Sequence, residues 1–155
     1  MPGIRVMAAG KFDILHLGHL AYLEQAKDLA GQDGELVVVI ALDKTIERER
    51  GVPPVFPQDQ RLRIVSALKV VDEAVLGYDT DDHTAIVRDL RPDIIALGYD
   101  QHTDMDALRR CIVEAGLDTR IVRLNKRDEG GLCSSSLIRR RIIENYAENR
   151  VPRLI

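Results

Sequence analysis

The run Glu35-Leu36-Val37-Val38-Val39-Ile40-Ala41 constrains this chain more than any other. After Glu35 it offers no polar side to water, and its β-branched residues favour a strand covered on both faces. That is the habit of parallel sheets. Shorter runs of similar character recur at 4–9, 73–76, 94–97 and 119–124. Segments of helix-forming composition separate them, at about 18–29, 57–69, 81–90, 108–115 and 136–145. Strands alternating with helices over 155 residues predict one α/β domain, a doubly wound five-stranded parallel sheet. Right-handed crossovers put the strand ends along one edge, and the expected strand order is 3-2-1-4-5. The domain is expected to span 1–145. A tail, 146–155, either packs across an interface or is disordered. Residues 43–57 start helically and then meet Pro53, Pro54 and Pro57, so an irregular loop is expected there.

Composition narrows the function. A formal charge of -3 argues against the basic field that nucleic-acid binding needs. No apolar run approaches the roughly 20 residues of a membrane span, and the N-terminus lacks the apolar core of a signal peptide, so a cytoplasmic location is expected. Cys111 and Cys133 are too few for a disulfide framework.

The chemistry concentrates in Gly10-Lys11-Phe12-Asp13-Ile14-Leu15-His16-Leu17-Gly18-His19. An apolar run precedes it and a helix-forming segment follows, so strand end, glycine turn and helix start meet here. Unpaired N–H groups and the positive end of the helix dipole make such a place receptive to anions. His16 and His19, three apart, point roughly the same way. Gly18 between them would let a ligand approach the backbone. The pair could also begin a zinc site, but the other two histidines and the two cysteines complete no tetrahedral spacing. No metal ligands are assigned.

This string resembles the H-x-G-H signature of the nucleotidyltransferase superfamily of cytidylyltransferases and adenylyltransferases. The wider form G-x-F-D-x-x-H-x-G-H is present in full. The resemblance implies transfer of a nucleotidyl group from a nucleoside triphosphate to a phosphate-bearing acceptor, with pyrophosphate leaving. An acceptor phosphate is already a nucleophile near pH 7, so the protein's work is positioning and neutralising charge, with a divalent metal ion carried by the triphosphate. On this reading His16 and His19 donate to phosphate oxygens. Lys11 contacts a phosphate or is solvated. Phe12 packs in the core or stacks on a base, and Asp13 orients a neighbouring loop in preference to lying near the metal.

A second stretch, Arg127-Asp128-Glu129-Gly130-Gly131-Leu132-Cys133-Ser134-Ser135-Ser136, resembles the family's R-T-x-G-I-S-T-T, two residues longer. Ser134, Ser135 and Ser136 would cap a helix and donate to phosphate, and Arg127 would bridge the outer phosphates. Arg61 is expected to touch the acceptor or a partner subunit. Lys44, Arg48 and Arg50 are candidates to close over the triphosphate. Gly98-Tyr99-Asp100-Gln101 stands where cytidylyltransferases carry G-D-D-W, and the chain has no tryptophan. Gly98 would admit base or ribose, and Asp100 would accept from a hydroxyl. With the preceding Arg-Pro-Asp turn, this stretch is similar to archaeal-type FAD synthases. That implies ATP and FMN as substrates, with CTP and glycerol 3-phosphate or another small phosphate ester as the alternative. By the same analogy the protein is a homodimer.

Overall fold

Five strands form where the apolar runs lie: β1 (Arg5–Gly10), β2 (Glu35–Ile40), β3 (Glu73–Leu76), β4 (Ile94–Leu97) and β5 (Arg120–Arg123). The structure is a computed structural model and describes residues 3–82, 84–127 and 130–147. All strand pairs are parallel, in the expected order β3-β2-β1-β4-β5. In the central strand Ala8 lies opposite Val38 on one side and Ala96 on the other.

Parallel neighbours need crossovers, and α1 (Leu17–Ala30), α2 (Asp43–Arg50), α3 (Gln58–Ser66), α4 (Ala85–Leu90) and α5 (Met105–Glu114) supply them before α6 (Ser135–Tyr146). Alternation along each strand divides the core in two. Val6, Ala8, Leu36, Val38 and Ile40 face α1 and α3, where Leu23, Ala26 and Val65 meet them. Met7, Val39, Ile95 and Leu97 face Val87 of α4 and Leu108 of α5. Each fully buried aliphatic side chain contributes about 1.5–3 kcal/mol, so these layers hold the strand ends in place.

The departures from expectation lie at helix ends, where side-chain hydrogen bonds compete with periodicity. α4 starts at Ala85 rather than near 81. Ahead of it Asp82 N–H donates to Thr80 Oγ1, and Asp82 Oδ1 accepts from Thr84 N–H at 3.0 Å. α5 starts three residues early because Asp104 caps it, accepting from Ala107 N–H at 3.0 Å. On α3 Val65 faces the core at 0% exposure while its neighbour Ile64 is 39% exposed. α2 stops at Gly51, whose φ of 78° ends the helix before the prolines. Tyr146 closes α6, and residues 148–155 of the expected tail lie outside the described residues.

Candidate active site

β1 ends at Gly10, where a Cβ would sit 3.0 Å from the Phe12 ring. The loop beyond is bent: Phe12 and Ile14 have φ of 51° and 53°, a left-handed conformation costly for bulky side chains. Three contacts hold it. Phe12 is 2% exposed and packs in the core, its ring 5.4 Å from that of His19 and 6.4 Å from that of Tyr22. Of its two expected roles, the core one is therefore realised, and Phe12 presents no face for a base. The buried Asp13 carboxylate accepts from Val55 N–H at 2.7 Å and Phe56 N–H at 2.9 Å, tying the proline-rich loop to the signature. Ser135 Oγ donates to the Asp13 carbonyl at 3.2 Å.

The two histidines are fixed by their backbones. His16 is the N-cap of α1, and its Nδ1 accepts from Gly18 N–H at 3.0 Å. His19 Nδ1 accepts from His16 N–H at 3.3 Å. The pair thus forms a capping box built from imidazoles. An Nδ1 that accepts leaves the proton of a neutral ring on Nε2. Burial lowers the pKa of His16. Burial, then the neighbouring His16, takes His19 down to about 4 against the partial opposition of Asp13. Near pH 7 both rings are neutral Nε2–H donors, 3.9 Å apart between centroids.

Gly18 has a packing role that its sequence position did not suggest. A Cβ there would lie 2.5 Å from the Cys133 carbonyl oxygen and 2.8 Å from the His16 ring. Its missing side chain makes room for the protein's own backbone, while the residue itself lines the cleft described below. Through this contact the segment before α6 docks on the histidine turn.

A cleft of about 890 Å³ opens over the C-terminal strand ends and gathers most of the expected residues, including His16, His19, Lys11, Arg127 and the three serines. Gly98 and Asp100 line it too. The serines divide their work: Ser134 caps α6 by accepting from Leu137 N–H, Ser135 braces Asp13, and Ser136 accepts from Arg139. Four of the candidate cations are already paired. Lys11 Nζ lies 3.0 Å from Glu49, and Arg127 lies 3.9 Å from Asp28. Lys44 and Arg48 reach Asp79 at 3.3 and 3.8 Å. Arg61 contradicts its expected role as a contact for acceptor or partner. It is 1% exposed and its guanidinium donates to the carbonyls of Phe56, Lys11 and Ala41 and to Asp43, an internal strut under the site.

Two supports escaped the sequence reading. Tyr22, one turn after His19, is half-buried behind the signature; its hydroxyl donates to Ala96 O at 2.6 Å and accepts from Ala9 N–H. Its position three residues past His19, on the same helix face, was the available signal. Arg123 donates to the carbonyls of Gly98 and Gln101, and Gln101 in turn reaches Ala9 O at 3.3 Å, so the turn after β4 is strapped to β1. Those pairs are remote in sequence and left no local mark. Among the described residues no three His, Cys, Asp or Glu side chains gather to hold a metal ion.

Residues 7–141 match the profile of the cytidylyltransferase-like family. The chain belongs to that family. Among its members, the FAD synthase of Thermoplasma acidophilum is 48% identical over 94% of this chain and 98% of its own length. The FAD synthase of Methanothrix thermoacetophila is 51% identical over 94% of this chain and 95% of its own. A crystal structure of a Thermoplasma volcanium protein, named there for lipopolysaccharide core biosynthesis, superposes with a TM-score of 0.72 at 48% identity. It covers 81% of this chain and 99% of its own. Family membership makes this chain a nucleotidyltransferase, with a Rossmann-like sheet carrying the cleft.

Proposed function

We propose that the chain is an FAD synthase that transfers AMP from ATP to the phosphate of FMN. A phosphate oxygen of FMN attacks the α-phosphorus, the Pα–O–Pβ bond breaks, and pyrophosphate leaves with the electron pair. The carrying observation is the histidine pair, neutral and held by backbone N–H groups so that both Nε2–H groups are available to phosphate oxygens. Such preorganised donors stabilise charge developing in the transition state, and one of them is worth about 3–4 kcal/mol. The helix dipole of α1 adds to them. Ser134 and Ser136 with Arg139, at the start of α6, suit the departing pyrophosphate. Lys11 and Arg127 would exchange their carboxylate partners for phosphate. A divalent ion enters with the triphosphate as part of the substrate. The names of the relatives support FMN as the acceptor.

The test is incubation with ATP and FMN, following FAD and pyrophosphate chromatographically, beside CTP with glycerol 3-phosphate. Turnover of the second pair and none of the first overturns the reading. We also place the enzyme in the cytoplasm as a homodimer. No described helix is long and apolar enough to cross a membrane. Every residue of α6 is exposed or half-buried, and Ile142, Ile143 and Tyr146 are open to solvent. Sedimentation that returns the monomer mass at micromolar concentration overturns the dimer.

A further inference from the structure

The sheet has four seams, and three of them close alike at their C-terminal ends, backbone to backbone. Ala41 N–H donates to Gly10 O between β2 and β1, Gly77 N–H to Ile40 O between β3 and β2, and Leu124 N–H to Leu97 O between β5 and β4, at 2.9, 2.8 and 2.8 Å. The β1–β4 seam is different. Its last pair is Ala8 with Ala96, although β1 continues beside β2 to Gly10 and β4 beside β5 to Leu97. Gly10 O and Leu97 O point to those outer neighbours, so the alternation of a strand turns Ala9 O and Gly98 N–H toward each other. Between them stands the side chain of Gln101. Its Oε1 accepts from Gly98 N–H at 3.1 Å, and its Nε2 donates to Ala9 O at 3.3 Å. One rung earlier the Tyr22 hydroxyl also touches both strands, accepting from Ala9 N–H and donating to Ala96 O.

We propose that Gln101 is a positioning residue, a spacer that holds the ends of β1 and β4 apart at the width the nucleotide needs. The inference rests on the reading above with ATP as donor. A direct bond from Gly98 N–H to Ala9 O would pair the same two groups without immobilising a glutamine, whose ordering costs rotamer entropy. What the amide adds is width. The sequence supplies it locally: residues 98–101 form a turn closed by Gln101 N–H to Gly98 O at 3.1 Å, which brings the fourth side chain back over the first residue. Arg123 steadies that turn by donating to the Gly98 and Gln101 carbonyls. In open α/β sheets the ligand crevice forms where the strand order reverses, here between β1 and β4. Gly10 and His19 line the cleft from the β1 side of this gap, and Gly98 and Asp100 from the β4 side. A seam zipped by one more rung would draw the Gly98 turn toward the histidine turn and narrow the space for a nucleotide between them. Gln101 acts through these turns, since its amide is bonded to backbone at both ends.

Gln101→Ala removes the spacer, and Gln101→Met keeps its length without its bonds. Calorimetry with the magnesium salts of ATP and of CTP reads nucleotide binding, and NMR on the free protein reads exchange of the Gly98 amide. Kd for ATP is expected to rise at least tenfold in Gln101→Ala and to return within threefold of wild type in Gln101→Met. In the alanine variant the Gly98 amide is expected to keep its protection within threefold, because it bonds Ala9 O directly. Three results would each overturn the spacer: an ATP Kd within threefold of wild type in Gln101→Ala, a methionine variant as weak as the alanine one, or Gly98 protection lost at least tenfold in Gln101→Ala. The second would mean that the amide bonds the nucleotide itself, the third that it only braces the turn. If the wild type binds CTP and not ATP, the FMN reading falls and the same comparison made on CTP decides the spacer. If ATP binding follows the expected pattern while FMN and ATP give no FAD, the spacer stands and the function falls. Binding of neither nucleotide overturns both.

Discussion

Replacing Gly18 with alanine sets two parts of the structure against each other. Gly18 lies in the first turn of α1, and helix propensity alone would make Gly18→Ala stabilising by about 1 kcal/mol. In place, the new Cβ would be 2.5 Å from the Cys133 carbonyl oxygen and 2.9 Å from His16 Nδ1. A backbone oxygen cannot swing aside like a side-chain tip. Either the segment before α6 retreats, carrying Ser134 to Ser136 with it, or the His16 ring leaves its bond to Gly18 N–H. Overpacking of this kind costs about 1–3 kcal/mol, so net stability is expected to fall by roughly 0–2 kcal/mol. On the proposed mechanism both routes displace donors from the reacting phosphates, and the loss of one such donor costs about 10²–10³ in kcat. The assay is kcat and KM from pyrophosphate release, with Tm recorded on the same samples. At least about a 100-fold loss of kcat with a slightly lowered Tm is expected. Wild-type turnover together with a raised Tm would refute the reasoning, because helix propensity would then be the whole effect.

Other perturbations address the supports. His19 titrates at about 4 when folded against an ordinary 6.5, so below pH 6.5 the unfolded chain takes up a proton that the folded one refuses. Stability should be level above pH 6.5 and fall by about 3 kcal/mol between there and pH 4. Urea unfolding at stepped pH measures this, and His19→Asn should flatten the slope; an unchanged slope in that variant would contradict it. Arg61→Met leaves the Asp43 carboxylate and three carbonyls without their donor and should cost about 3–5 kcal/mol, read from the urea midpoint. Asp13→Asn replaces one acceptor oxygen by an NH₂ facing a backbone N–H. Hydrogen exchange at Val55 and Phe56 should accelerate by at least about tenfold, the equivalent of about 1.4 kcal/mol; protection equal to wild type would show that another group holds the loop.

The cost of the bent signature loop explains why these supports matter. Two bulky residues at positive φ carry about 1–3 kcal/mol each. Phe12 burial, the Asp13 bonds and the Arg61 bond to Lys11 O are contacts of residues in and beside that loop, and they offset this cost. Strain and supports together place His16 at the mouth of α1.

Local pattern was enough for the strands and for the ten-residue turn, and the strand order expected for a doubly wound sheet is the one observed. Continuous apolar runs can only be buried on both faces, and a strand–glycine–helix junction binds anions through its own backbone. Helix starts were less legible, since a single Asp at 82 or 104 shifts them by bonding to N–H groups two or three residues on. The roles of charged residues were the least legible. Arg61 and Lys44 look alike in sequence, yet one is sealed beneath the site and the other pairs at its rim.

By itself the sequence determined the sheet, the helix dipole and the pair of imidazoles at its end, because these depend on neighbours within a few positions. Only the tertiary structure decided which nitrogen of each ring carries the proton and what Gly18 makes room for. Those outcomes depend on burial and on partners such as Cys133 and Asp13, which only folding brings to the histidine turn.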